Sequence, residues 1–425
     1  MDNKTKKLDY KWVIVALCFL MVGTCLGFCS SNKSLYLSAI TDALNIKRSA
    51  FSINDSCRFV TTAIVNIFFG TLVNKFGTKK LISAGFVSLI LSMLIYSFAE
   101  NIFVFYLGGC LLGIGLSWTT TTMVGCVINK WCKENKGTIM GAVLCANGLG
   151  GAIAAQIITP IIYQEGNPFG YRTAYRLVAL ILAVVGALIV IFFKENPKGY
   201  DTTQKVEHKK KARGEGWVGI EYTEAVKKHY FYSAAICIFL TGLVLQGING
   251  VAAAHMQDVG LDAAYVGTVL SFHSLALAGF KFLTGVVYDR FGLRTTMTIC
   301  DVTAVLVMFV LAVLTNSPLG KILAMFYGVF SALALPLETI MLPIFASDMF
   351  GEKSFNKILG LFVSINTAGY AVGSPLMNWA FDIWGTYTPM LIVCCLIMVA
   401  ITIVFQFVLT SANKQKKLIL EAENK

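Results

Sequence analysis

Gly285-Val286-Val287-Tyr288-Asp289-Arg290-Phe291-Gly292-Leu293-Arg294 lies between two long apolar runs. A variant, Gly70-Thr71-Leu72-Val73-Asn74-Lys75-Phe76-Gly77, occupies the same setting 215 residues earlier, at position 70 against 285. A second correspondence follows at nearly the same offset: Gly141, Asn147 and Gly150 map onto Gly360, Asn366 and Gly369. Two independent matches at almost one spacing mark an internal duplication, the first feature to seek in a long helical chain. Parallel repeats of this length are a known way to build a membrane transporter, with the substrate site between the two halves.

The composition agrees. Of 425 residues, 56% are hydrophobic and 14% charged, where soluble domains carry about 25% charged residues. A mean hydropathy of +0.70, with 30 Phe and 8 Pro, excludes soluble, disordered, collagen-like and disulfide-scaffold classes. Eleven of the 12 Cys fall inside apolar runs and Cys132 in a loop, without the paired spacing or His partners of a zinc site, so they read as small buried side chains.

A membrane helix needs about 20 apolar residues, and the chain divides into twelve: near 11–37, 50–73, 80–99, 102–128, 137–163, 173–193, 231–256, 263–287, 295–315, 322–346, 356–383 and 387–410. The first run is too long, and lacks the small-residue site, for a cleavable signal, so it reads as a retained helix. The polar stretch 194–230, with His208, Lys209, Lys210, Lys211 and Arg213, links an N-terminal half (1–193) to a C-terminal half (231–411), and 412–425 forms a tail. With the N-terminus inside, 27 of the 35 basic residues fall on cytoplasmic segments and five on the opposite loops, which places both termini in the cytoplasm of a multi-pass cell-membrane protein. The same bias, with attraction to anionic lipid, accounts for the +12 net charge, so no nucleic-acid partner is needed.

Three basic residues remain inside spans: Lys33 on the first helix, Arg58 on the second and Lys281 on the eighth. Each costs about 2.5–3.5 kcal/mol on insertion scales and by default faces a cavity, and together they call for an anion. Each also has a structural alternative, snorkelling to the nearer interface. The acidic counterparts are Asp55, Asp301 and Glu338. The last lies between Pro336 and Pro343, and either holds a structural ion pair or takes a proton. His255 and His273 are further proton-coupling candidates, against the alternative that each satisfies a local hydrogen bond. Asn66, Asn147 and Asn366, with Tyr36, are the polar substrate-binding candidates, and Gln156, Gln246 and Asn249 also need partners. Thr119 to Thr122 are expected to bond their own i−4 carbonyls.

The Gly-x3-Asp-Arg-Phe-Gly-x-Arg stretch resembles the loop signature of the major facilitator superfamily. That resemblance spans the chain and implies an all-α membrane fold of twelve helices in two pseudo-symmetric halves. In that family the motif is a latch holding the outward-open state. Gly70, Asn74, Lys75, Gly77, Gly285, Asp289, Arg290, Gly292 and Arg294 are its counterparts here, with Asn74 where the motif usually has Asp. Asn32-Lys33-Ser34, preceded by Asp9-Tyr10-Lys11-Trp12, resembles the first helix of monocarboxylate transporters. Asn129-Lys130-Trp131-Cys132-Lys133 through Gly141 is similar to the stretch opening the fifth helix of those proteins and of oxalate/formate antiporters. By that resemblance Lys281 stands where the family's carboxylate-binding Arg does, as a point charge rather than a bidentate fork. Asn366 replaces the antiporters' second cation, which turns the reading away from oxalate. Leu277 replaces the monocarboxylate transporters' proton-accepting Asp, which leaves proton coupling to Glu338 or a lysine.

The expectation is therefore a secondary transporter of a small organic anion, foremost a monocarboxylate, coupled to protons or a counter-anion and working as a monomer in the lipid bilayer without cofactor or metal. The rivals are an oxalate/formate-type exchanger, a drug exporter, which the excess of buried cations disfavours, and a non-translocating nutrient receptor, which lacks room for a signalling domain. No catalytic constellation appears, so the chain does not read as an enzyme.

Overall fold

The computed structural model describes residues 10–132, 136–195, 219–335, 337, 341–351 and 355–423. Twelve membrane helices follow one another. They are α1 (Tyr10–Leu44), α2 (Arg48–Phe76), α3 (Thr78–Phe98), α4 (Ile102–Thr119, continued as Thr121–Trp131), α5 (Lys136–Leu144 and Ala146–Ile162) and α6 (Gly170–Phe192). After a short turn of helix at Tyr222–Ala225 come α7 (His229–Asp258), α8 (Ala263–Tyr288), α9 (Arg290–Ala312), α10 (Pro318–Ala334 and Met341–Phe350), α11 (Phe355–Trp384) and α12 (Thr388–Glu423). Several ends overrun the apolar runs: α1 continues through Ser38–Leu44 and α12 through Lys414–Lys417. Hydropathy senses the hydrocarbon core and not a helix that outgrows it.

Large apolar side chains such as Ile67, Phe103, Ile191 and Phe407 stay about 70% exposed on the outer surface. In water that would be a liability; against lipid it is the expected solvent face. Among the described residues, nine helices are long and apolar enough to cross a membrane unaided. α2 is not among these nine; it carries Arg48, Asp55, Arg58 and Lys75.

The duplication is visible in three dimensions. Gly77 (φ 81°, ψ 164°) and Gly292 (φ 77°, ψ 175°) share one backbone conformation open essentially only to glycine, and each turns the chain from one helix straight into the next. Within the first half, Gly150 of α5 meets the backbone of Gly23 on α1, and within the second, Gly369 of α11 meets that of Phe239 on α7. A side chain at either glycine would collide with backbone, so these residues set how closely the helices approach.

The two halves meet along two seams, α2 beside α11 and α5 beside α8. Both are shut at the end where α1 turns into α2. There Thr159 of α5 meets Gly267 of α8, Gln156 Nε2 donates to Ser271 Oγ at 2.9 Å, and Gly148 lies against the Ser274 carbonyl. Along the other seam Ser56 bonds the Ala371 carbonyl and Phe59 meets Tyr370, centroids 5.2 Å apart. Towards the end holding Gly77 and Gly292 the seams part. A Cβ at Gly141, Gly279, Gly285 or Gly360 would meet nothing within 4 Å among the described residues. Among the described residues the bundle is thus closed at one end and open at the other.

Candidate functional site

The first helix is not regular through the bilayer. A π-helical turn at Gly23–Phe28 leads into a break at Cys29–Asn32 before the helix resumes at Lys33, an interruption that recurs at functional sites. Its cause is local: Gly27 lies against the Gly150–Gly151 backbone, and the Asn32 amide donates to the Gly151 carbonyl at 2.9 Å. The break turns Ser30, Ser31 and Lys33 inward. Ser31 Oγ donates to Asn147 Oδ1 at 2.9 Å, tying the break to α5.

Behind it lies a cavity of about 50 Å³, lined by Lys33, Tyr36, Asp55, Arg58, Tyr96 and Tyr175 among others, and roofed from the second half by Gly250 and Ser374. That volume holds a few water molecules. Asp55 sits between the two cations. Its Oδ2 pairs with Lys33 Nζ, and its Oδ1 lies 3.2 Å from Arg58 Nε, one turn along α2. Arg58, about 5% exposed, also donates from Nη1 to Ser30 Oγ at 2.7 Å. Two basic side chains and one acidic one thus meet here among the described residues. A tyrosine wall completes it: Tyr36 stacks on Tyr175 with centroids 4.3 Å apart, Tyr96 leans on Tyr175, and the Tyr96 hydroxyl donates to Asn54 Oδ1 at 2.9 Å. Phe59 stands between cluster and seam, its ring 4.2 Å from Arg58 Cζ and 5.6 Å from Lys33 Nζ.

Lys33, Arg58 and Tyr36 therefore come together, while the other candidates lie elsewhere. Lys281 does not line the cavity. It is half-buried on α8, two helical turns beyond Ser274, and so lies on the α5-facing side where that seam has begun to part. Asn66 bears the same relation to Phe59 on α2 and is exposed beside the open seam. Asn147 holds the α1 break, and Asn366, buried, donates to the Ile238 carbonyl at 3.1 Å, joining α11 to α7. The two repeat-related amides thus bond corresponding helices in their own halves. His255 bonds the Leu311 carbonyl at 2.9 Å, and His273 Nδ1 lies 2.8 Å from Ser331 Oγ and 3.2 Å from the Gly328 carbonyl. Neither lines the cavity. Thr119 and Thr120 bond their own i−4 carbonyls. Glu338, the 208–213 basic cluster and the side chain of Asp289 lie outside the described residues.

At the motif ends, Asn74, Lys75 and Arg290 are exposed beside the open seams, and Arg294 Nε donates to Gln406 at 2.6 Å. The α3 N-terminus following Gly77 is capped from a distance by Glu195, which accepts from Thr78 Oγ1 at 2.9 Å and from Lys79 N at 3.0 Å, with Lys130 Nζ at 3.8 Å. Partial burial opposes ionisation of Glu195, but the backbone N–H groups of Lys79 and Thr78, the Thr78 hydroxyl and the Lys130 charge together hold its carboxyl below the ordinary range.

The closed end carries groups that the sequence reading left in an outer loop. Arg48 grips Asp258 of α7 through both terminal nitrogens, stacks 4.1 Å from the Phe381 ring and reaches the Tyr387 hydroxyl at 3.3 Å. Asp382 of α11 accepts from Arg48 N at 3.3 Å and Ser49 N at 3.1 Å, and Gln257 accepts from Tyr163 at 2.9 Å.

An unevenly closed two-seam bundle with buried charge beside a helix break defines a membrane carrier. The sequence profile of the Major Facilitator Superfamily matches residues 15–234 and again 234–424, so the chain belongs to that family: it is a multi-pass secondary transporter of a small-molecule substrate and not an enzyme. Among curated proteins it is similar to monocarboxylate transporter 13 of Bos taurus, 25% identical over 331 residues covering 76% of this chain and 71% of that one. It also resembles the sialic acid transporter NanX of Escherichia coli (strain K12), 20% identical over 342 residues and 79% of each. Among solved structures, a variant of the nucleoside transporter NupG shares the fold with a TM-score of 0.77 at 13% identity, over 94% of this chain and all of that one.

Proposed function

We propose that the protein carries a small organic anion, foremost a monocarboxylate, across the cell membrane by alternating access, with both termini in the cytoplasm. The observation that carries the reading is the Lys33–Asp55–Arg58 cluster: two cations and one carboxylate, largely buried, on one cavity beside the seam. Basic side chains held inside the membrane mark a ligand pathway by default, and two of them on one cavity favour an anion. Relatives named for monocarboxylates and for sialic acid support an acid as that ligand.

With the motif loops on the cytoplasmic side, the open end faces the cytoplasm and the Arg48–Asp258 end is the outer gate. Lys281 then meets an anion in the parted α5–α8 seam before it reaches Lys33 and Arg58. Anion binding draws the parted seams together, and the outer contacts open in exchange.

The test is uptake of labelled lactate, pyruvate, formate and oxalate into proteoliposomes, with and without an inward proton gradient and with and without internal unlabelled anion. Saturable uptake of a monocarboxylate is the expected result; transport of none of these acids refutes the reading. Acceleration by the proton gradient establishes symport, and acceleration only by internal anion establishes exchange.

A further inference from the structure

Asp301 is a buried acid that the site above does not use. It lies on the membrane-crossing α9, about two and a half turns beyond Gly292, and is fully buried. Neither of its carboxyl oxygens has a hydrogen-bond partner among the described residues. The titratable side chains that sense its charge are the Cys237 thiol of α7 and the Cys300 thiol of α9 itself. Thr284 of α8, beside Cys300, turns its hydroxyl back to the Phe280 carbonyl at 2.7 Å, and Cys395 of α12 lies 3.9 Å from the Val305 carbonyl, one turn further along α9. Lys281 of α8 stands at about the same depth and is bonded to neither oxygen. On α10 and α11, the Glu338 and Lys357 side chains lie outside the described residues. One turn back along α9, and one turn on from Cys237 along α7, Met297 and Thr241 line a cavity of about 20 Å³, room for about one water molecule. The buried Thr241 hydroxyl is likewise without a partner among the described residues.

We propose that Asp301 is a proton-binding site that couples transport to the proton gradient: its carboxyl holds a proton in this conformer, and the proton crosses the membrane with the anion. A carboxylate ion in these surroundings has given up its water without gaining a donor, and a proton on one oxygen removes that cost. A hard metal cation in the same place would need several oxygen ligands, whereas the groups around Asp301 are thiols. The small cavity gives a relaying water a place at the Thr241 hydroxyl. The proton is taken from water on one side of the membrane and returned to water on the other, so the step needs no further reactant. The identity of the companion ligand rests on the organic-anion reading above; the protonation of Asp301 does not.

The experiment has two arms, both on the purified full-length protein. In lipid nanodiscs without substrate, infrared spectra at neutral pH record the carbonyl stretch of protonated carboxyl groups. The wild type is expected to show a band that Asp301→Asn lacks; spectra identical in that region overturn the proposal. In proteoliposomes, Asp301→Asn, uncharged like the protonated acid, is expected to lose all acceleration of lactate uptake by an inward proton gradient. It is expected to keep exchange of external for internal lactate, which requires no release of the proton, and Asp301→Glu is expected to keep both. Gradient acceleration that persists in Asp301→Asn, or that the wild type lacks, overturns coupling through Asp301. Loss of exchange together with the gradient response is what a merely structural carboxyl predicts, and also overturns it. If Asp301→Asn does not fold, Asp301→Glu decides: the longer acid is expected to shift the infrared band, and an unshifted band overturns the proposal. Wild-type protein that transports no monocarboxylate overturns the organic-anion reading, while the infrared arm still decides whether Asp301 holds a proton.

Discussion

Arg48, the first residue of α2, and Asp258, the last of α7, are 210 residues apart in sequence and form a two-pronged ion pair across the closed end of the bundle. Arg48 is about 8% exposed and Asp258 about 28%. The pair is thus screened on one side only, and Asp382 and Tyr387 brace Arg48 from α11 and the start of α12. It ties the first half to the second at the point that must separate for the opposite side to gain access.

Arg48→Ala is therefore expected to shift the population towards the conformer open at this end. Discounted for the partial exposure of Asp258, the pair is worth about 1–2 kcal/mol, or roughly five- to thirtyfold in the conformational ratio. Spin-label distances across the closed end, compared between wild type, Arg48→Ala, Asp258→Asn and the double variant, check this. Additive effects in the cycle would show that the pair contributes no coupling.

Lys281→Ala is expected to abolish anion uptake while leaving expression and thermal stability intact. Lys281→Arg is expected to keep uptake, since Arg retains the charge and adds a fork suited to carboxylate. Uptake assays in proteoliposomes decide the matter, and normal transport by Lys281→Ala would remove the residue from the path.

Glu195→Gln is expected to lower stability in a pH-dependent way. The folded carboxyl is held below its unfolded range by the α3 N-terminus and Lys130. Its contribution is accordingly present above the unfolded pKa and lost as pH falls through the folded one. The melting-temperature difference between wild type and Glu195→Gln should be full at neutral pH and shrink in acid. A difference independent of pH would mean that the carboxylate charge is immaterial to the cap.

The repeated glycines offer a matched comparison. Replacing either Gly77 or Gly292 with Ala imposes about 1–3 kcal/mol of backbone strain. At Gly77 the added Cβ also lies 2.8 Å from Glu195 Oε1, whereas at Gly292 it meets nothing within 4 Å among the described residues. Scanning fluorimetry should show both variants destabilised and Gly77→Ala the more so; equal losses would mean that the Glu195 cap yields freely.

Much of the site was legible because membrane insertion makes charge rare. Lys33 and Arg58 stood out as basic residues inside spans, and both line the cavity. Asp55 reads from sequence as an acidic counterpart, and its place three residues before Arg58 on one helix is a readable ion-pair spacing. Arg48 reads as a loop residue, because a helix that starts outside the apolar run leaves no hydropathy signal. The tyrosine wall had no signal either: Tyr36, Tyr96 and Tyr175 look like any aromatic in a membrane helix until three helices are set side by side.

What the chain declared without coordinates was whatever local pattern encodes: a bilayer solvent from composition, twelve helices from run length, and two halves from a repeated motif. Those follow from residue-by-residue transfer energies and need no knowledge of neighbours. Only the tertiary structure decided that Lys33 and Arg58 share Asp55, that Asn147 and Asn366 brace their own halves, and that Arg48 reaches Asp258. Such pairings depend on how helices distant in sequence are rotated and set in depth against one another. That registration comes from close contacts such as Gly27 on Gly150 and Gly148 on Ser274, which no single helix contains.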